Sequence, residues 1–109
     1  LPMVSPDYEA IVTDRFKDDL TAEVIWRLEN AGQSSAERLI RSYETALSAV
    51  EAFPHFMPSV RGDDVRWVAV EKHVAIYEID ESRKRVTLLR LLNMASDWKS
   101  ELLHSIDEN

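Results

Sequence analysis

The chain contains no cysteine, only two glycines and four prolines, and no apolar run approaching the roughly 20 residues that a membrane-spanning helix requires. Each shortage excludes something. Without cysteine there are no disulfides, thiolate metal sites or cysteine nucleophiles. With Gly32 and Gly62 as the only glycines there is no glycine-rich phosphate loop, and so no nucleotide cofactor held in that way. So few turn residues beside 45% hydrophobic residues argue against both disorder and a turn-rich β-sandwich. Basic residues are also in deficit, 13 against 20 acidic ones, for a formal charge of −7. That balance counts against indiscriminate binding to nucleic acid, which needs a basic surface. His55, His73 and His104 are too widely separated to form a metal motif, and no serine sits in a nucleophile-elbow setting. No metal and no cofactor are expected. The first six residues lack the charged flank and apolar run of a secretory signal, so the expectation is a soluble cytoplasmic protein with no membrane segment.

What is present is a well-patterned chain of 109 residues, for which one domain over 1–109 is expected, frayed at 1–6 and 105–109. A chain of this size buries roughly 65% of the surface exposed on unfolding and needs no covalent staples. The β-branched and aromatic residues within 7–13 predict a short strand, with Asp14 suited to the helix start that follows. Phe16, Leu20, Val24, Ile25 and Leu28 then recur at helical spacing. Gly32 suits a left-handed cap, and Ser34 with Glu37 matches a capping box opening a second helix. That helix carries Leu39, Ile40, Tyr43, Leu47 and Val50, and a break this short predicts an antiparallel helical hairpin. Pro54 and Pro58 end it, and residues 54–64 read as a loop. Residues 65–71, 73–79 and 85–92 read as three strands of an antiparallel meander, the middle one apolar on both parities and therefore central. A last helix starts near Ser96 and carries Trp98, Leu102 and Leu103. The expected fold is α+β, in the order β-α-α-β-β-β-α. The helical hairpin packs on one face of a small, mainly antiparallel, four-stranded sheet.

The charge is unevenly distributed. Residues 1–60 carry 5 basic and 10 acidic side chains, whereas residues 61–90 carry 7 basic and 6 acidic. Arg61, Arg66, Lys72 and Arg90 are the candidates for function in that stretch. Arg66 lies within a strand and Arg90 interrupts the run Thr87 to Leu92, and a charge inside a central strand is costly unless paired or opening onto a site. Either they form salt bridges, for example with Glu71 or Glu78, or they hold phosphate oxygens and stabilise developing negative charge. Trp67 and Trp98 either pack in the core or stack on a base.

Three segments in order, Val65-Arg66-Trp67-Val68-Ala69-Val70, Val74-Ala75-Ile76-Tyr77-Glu78-Ile79-Asp80 and Val86-Thr87-Leu88-Leu89-Arg90-Leu91-Leu92, resemble the arginine strand, tyrosine–acidic strand and leucine–arginine strand of the RelE/ParE superfamily of toxins from bacterial type II toxin–antitoxin pairs. Phe16-Lys17-Asp18-Asp19-Leu20 resembles the family's first helix, and Phe53-Pro54 its proline-closed second helix; the resemblance spans Tyr8 to Leu103. It implies a plasmid-stabilisation-like toxin held inert by a cognate antitoxin, as a homodimer or a hetero-oligomer with that antitoxin. Its target is then DNA gyrase for ParE-type members, or mRNA on the ribosome for RelE-type members, which cut without a metal. After the last strand the family commonly has His-Gly-x-Arg followed by an acidic and an aromatic residue. Here Asn93-Met94-Ala95-Ser96 precedes Asp97-Trp98, so the histidine and arginine are missing. Lys72 and His73 stand where many members have a basic and an aromatic residue, and His73 is the one acid–base candidate there. A nuclease needs a proton donor and cations on the scissile phosphate. Their scarcity tilts the expectation to a ParE-like, non-nucleolytic action. The alternatives are an mRNA endonuclease gripping phosphates through Arg61, Arg66, Lys72 and Arg90, and a non-toxic protein-binding module. Asn93 joins the candidate residues as the family's histidine position.

Overall fold

The computed structural model describes residues 7–62 and 64–107, except for the side chains of Arg61 and residues 103–107. The elements are β1 (Glu9–Val12), α1 (Asp14–Asn30), α2 (Gln33–Ala52), β2 (Ser59–Arg61), β3 (Val65–Val70), β4 (His73–Asp80), β5 (Arg85–Asn93) and α3 (Trp98–Asp107). A 3-10 turn, Pro54–Phe56, follows α2. The strands form one sheet in the order β1-β5-β4-β3-β2, with β1 parallel to β5 and every other pair antiparallel. The α+β order is the one the sequence predicts, but the sheet has five strands rather than four. The extra strand is Ser59–Arg61, inside the stretch read as a loop; at three residues it is too short to show a period.

The sheet is covered on both faces because its strands are apolar on both parities. Ala75, Tyr77 and Ile79 of β4 point to the helical hairpin and pack with Phe16, Leu39, Val50, Val86 and Leu88. Val74 and Ile76 point the other way and pack with Leu92, Trp98 and Leu102. So α3 seats on the face opposite the hairpin, where helices on one face were expected. Trp67 and Trp98 meet edge-on in that second cluster, with ring centroids 5.6 Å apart. Both tryptophans therefore serve packing, a geometry aromatic pairs favour.

One helix end departs from expectation. Thr13 caps α1, its hydroxyl accepting from the Phe16 N–H at 3.2 Å, and α1 starts at Asp14 as expected. The Ser34–Glu37 capping box does not form. The chain leaves α1 with the Gly32 N–H donating to the Arg27 carbonyl at 2.8 Å, and Gly32 at φ 93° is already the N-cap of α2 with no side-chain bond. Along α1, Phe16 is buried and Leu20 and Val24 pack on the core, but Ile25 and Leu28 are exposed and Arg27 is buried in their place.

Candidate functional site

The site is built where α1, the start of α2 and the β3–β4 turn meet. Arg27 comes off the last turns of α1 and is buried, a placement that requires partners. Its guanidinium donates to the Ser35 carbonyl and to Glu71 Oε1, each at 3.1 Å, and it pairs with Glu23 at 3.5 Å. Glu23 in turn lies 3.5 Å from His73 Nε2. One buried arginine thus ties α1, α2 and the β3–β4 turn together. Glu71 takes the left-handed backbone in that turn, at φ 52°.

Above this network opens a cleft of about 630 Å³, lined by Trp26, Arg38, Lys72, His73 and Asn93 beside the network residues. Pairing of β4 with β5 sets His73 opposite Asn93, and the Met94 N–H donates to the Lys72 carbonyl at 2.9 Å, so the strand ends are locked together. Three of the sequence candidates, Lys72, His73 and Asn93, therefore share one cleft. His73 is 7% exposed and its Nδ1 has no hydrogen-bond partner. A second hollow, about 520 Å³, shares Glu23, Trp26, His73 and Asn93 with the first and continues past Asp19 towards Ser96 and Glu101.

The other candidates lie elsewhere. Arg66 faces the hairpin side and donates to the main-chain carbonyls of His55 (3.1 Å) and Met57, holding the 3-10 turn against β3. Arg90 pairs with Asp19, Nε to Oδ2 at 2.8 Å, and the same oxygen accepts from the Leu91 N–H at 3.0 Å. Arg61 is in β2, and its side chain, like that of His104, lies outside the described residues. Sequence reasoning missed Trp26, Arg27 and Arg38. The available signal was Arg27 itself, a charge falling among the apolar positions of α1.

A sequence model of the family described as "ParE toxin of type II toxin-antitoxin system, parDE" matches residues 10–98. The chain belongs to the ParE toxin family. Among curated proteins none matches it. Solved structures of similar fold include three from toxin–antitoxin systems. One is the chromosomal ParDE system of P. aeruginosa, with TM-score 0.67 and 15% identity over 82% of this chain and 98% of that one. Another is a RelBE toxin–antitoxin complex of Mycobacterium tuberculosis, with TM-score 0.57 and 16% identity over 80% and 98%. The third is the archaeal RelE–RelB complex of Pyrococcus horikoshii, with TM-score 0.57 and 15% identity over 82% and 97%.

In this ParE-family toxin the opposite end of the sheet carries a second polar cluster. Glu81, in the β4–β5 turn, accepts from the Tyr8 hydroxyl at 2.9 Å, meets His55 Nε2 at 2.9 Å, and pairs with Lys84. Hydrogen bonds from Lys84, then His55 and Tyr8, pull its carboxyl down to about 2. Nearby, the buried Tyr77 hydroxyl donates to the Pro54 carbonyl, and burial pushes that phenol up. These groups join Tyr8 just before β1, the 3-10 turn and the β4–β5 turn, which is a structural task. Among the described residues of the toxin no group of three histidine or acidic side chains is placed to hold a metal, and no helix is long and apolar enough to cross a membrane.

Proposed function

We propose that the chain is the growth-inhibiting member of a type II toxin–antitoxin module, kept inert by a cognate antitoxin, and that it acts on DNA gyrase in the ParE manner without cutting nucleic acid. Membership of the ParE toxin family supports the toxin role, and the antitoxin-bound neighbours support an antitoxin partner. The observation that carries the choice of action is the engagement of the strand arginines. Arg90 is bound to Asp19, and Arg66 to main-chain carbonyls. An arginine whose donors are committed to protein acceptors is not poised on a scissile phosphate. A chain at −7 also gains nothing from the salt-driven attraction that draws basic proteins to RNA, so a protein target suits it better.

One observation favours the second reading, an mRNA endonuclease: Lys72, His73 and Asn93 line the same cleft, a cation beside a group able to move a proton. The two separate in a paired assay with purified protein. Gyrase supercoiling should be inhibited while mRNA in a translation extract stays intact. Cleaved mRNA with unimpaired supercoiling would replace the first reading by the second. No effect in either assay, with undisturbed growth on induction, would leave a protein-binding module.

A further inference from the structure

The cleft at the α1–α2 junction has the parts of a binding site for a phosphorylated ligand with a planar ring, and we propose that it binds a nucleoside 5′-phosphate. This is the cleft that favours the endonuclease reading, but nucleotide binding there requires no cleavage. Five observations converge. Arg38 and Lys72, both exposed and lining the cleft, form no ion pair among the described residues. The cleft therefore carries three cations against Glu23 and Glu71, a local excess of positive charge in a chain at −7. The 20-residue α2 begins there with no side-chain cap and no acidic residue in its first turn, so its positive end is unanswered. A Cβ on its N-cap, Gly32, would meet nothing within 4 Å, so the main chain there is open to a ligand. His73 lines the same cleft, more than nine-tenths buried, with Nδ1 lacking a partner. The same cleft is lined by the Trp26 indole, 56% exposed, a large ring with no packing role in either core cluster.

The chemistry that satisfies the cations, the helix end and the indole together is one molecule. Its phosphate oxygens accept from Arg38, Lys72 and the first N–H groups of α2. Its ring stacks on Trp26, a contact any base can make. Its ring edge meets Asn93, which offers its Nδ2 donor while its Oδ1 accepts from the Ala95 N–H at 2.8 Å. A volume of about 630 Å³ falls in the range of small-molecule sites, roughly 300–1,000 Å³, and leaves room for a ring and a phosphate together. Neither half suffices alone. An anion site has no use for an exposed indole, and an aromatic shelf has no use for two unpaired cations and a bare helix end.

The test is calorimetric titration of the intact chain with adenosine 5′-monophosphate, run beside adenosine and inorganic phosphate, with tryptophan fluorescence as a second readout. Saturable one-to-one binding is expected, at least ten-fold tighter than either fragment. Arg38→Ala with Lys72→Ala should weaken it at least ten-fold, and Trp26→Ala should remove the fluorescence change. All three side chains are exposed, so the variants should keep the parent's melting temperature, which circular dichroism checks. A 5′-phosphorylated oligoadenylate competing as well as the monophosphate would make a nucleic-acid end the source; competition by the monophosphate alone would make it a free nucleotide. Inorganic phosphate binding as tightly as the nucleotide, no saturable binding, or binding indifferent to the Arg38 and Lys72 changes would each overturn the proposal.

Discussion

Asp19 holds the sheet together where a strand runs out. β1 pairs with β5 only from Arg85 to Leu88, yet β5 continues to Asn93. Past Leu88 the side once occupied by β1 is taken over by the chain that follows it. The Thr13 hydroxyl donates to the Leu88 carbonyl at 2.8 Å, and Asp19 accepts from Leu91 N–H and from Arg90. This coincides with the register shift where Leu89 is extra against Ile76 and Tyr77, a bulge that leaves ladder groups needing outside partners. Asp19→Ala strips the acceptor from an amide and from a guanidinium whose side chain is only 17% exposed. Hydrogen bonds to a charged group are worth about 1.5–3 kcal/mol each, but partial exposure lets water replace some of that. Alanine also returns about 0.5 kcal/mol of helix propensity. The net loss should be about 2 kcal/mol. For a chain of 109 residues that is about 9 °C in melting temperature, from an unfolding entropy of roughly 2.1 cal/mol/K per residue. Thermal unfolding followed by circular dichroism measures it, with Asp18→Ala as the exposed neighbour, expected within about 0.5 kcal/mol of the parent. A double-mutant cycle with Arg90→Ala should show coupling of about 1 kcal/mol. Equal melting temperatures for the Asp18 and Asp19 variants would refute this account of how β5 is held.

Three further predictions concern local structure. Glu81, held down to about 2 from an ordinary 4.5, contributes stability that is fully present above pH 4.5 and lost as pH falls towards 2; Glu81→Gln should flatten that part of the melting-temperature profile, and an unchanged profile would refute the assignment. Tyr77→Phe removes the hydroxyl that donates to the Pro54 carbonyl and should cost about 1–2 kcal/mol in denaturant unfolding, since the carbonyl stays buried; no loss would mean the bond contributes nothing net. Gly32→Ala meets no steric obstacle, yet φ 93° alone should cost about 1 kcal/mol or more; a stabilised variant would show that the junction relaxes to another backbone conformation.

The periodic features were legible in the sequence, and those set by distant contacts were not. Leu39, Val50, Val74 and Tyr77 are buried where their spacing puts them. The double-sided apolar pattern of β4 announced a central strand, but not that α3 would supply the cover on the second face. β2 escaped because three residues between Pro58 and Gly62 carry no pattern. The start of α1 was read correctly at Asp14, whereas that of α2 was misplaced because Gly32, not Ser34, takes the N-cap position. Arg27 displaced Ile25 and Leu28 from the buried side of α1 because Ser35 and Glu71, 8 and 44 residues away in sequence, satisfy it there. That network also explains the candidate site. Lys72 could be named from the basic cluster of residues 61–90, and His73 and Asn93 from the family resemblance, but Trp26 and Arg38 join them only once the hairpin folds back onto the β3–β4 turn.

This ParE-family chain should stop bacterial growth until an antitoxin binds it, and controlled induction in a bacterial host tests that most directly. Viable counts should fall by orders of magnitude within hours of induction and recover when the cognate antitoxin is expressed alongside. Soluble, folded protein accumulating in cells that grow at the uninduced rate would contradict it.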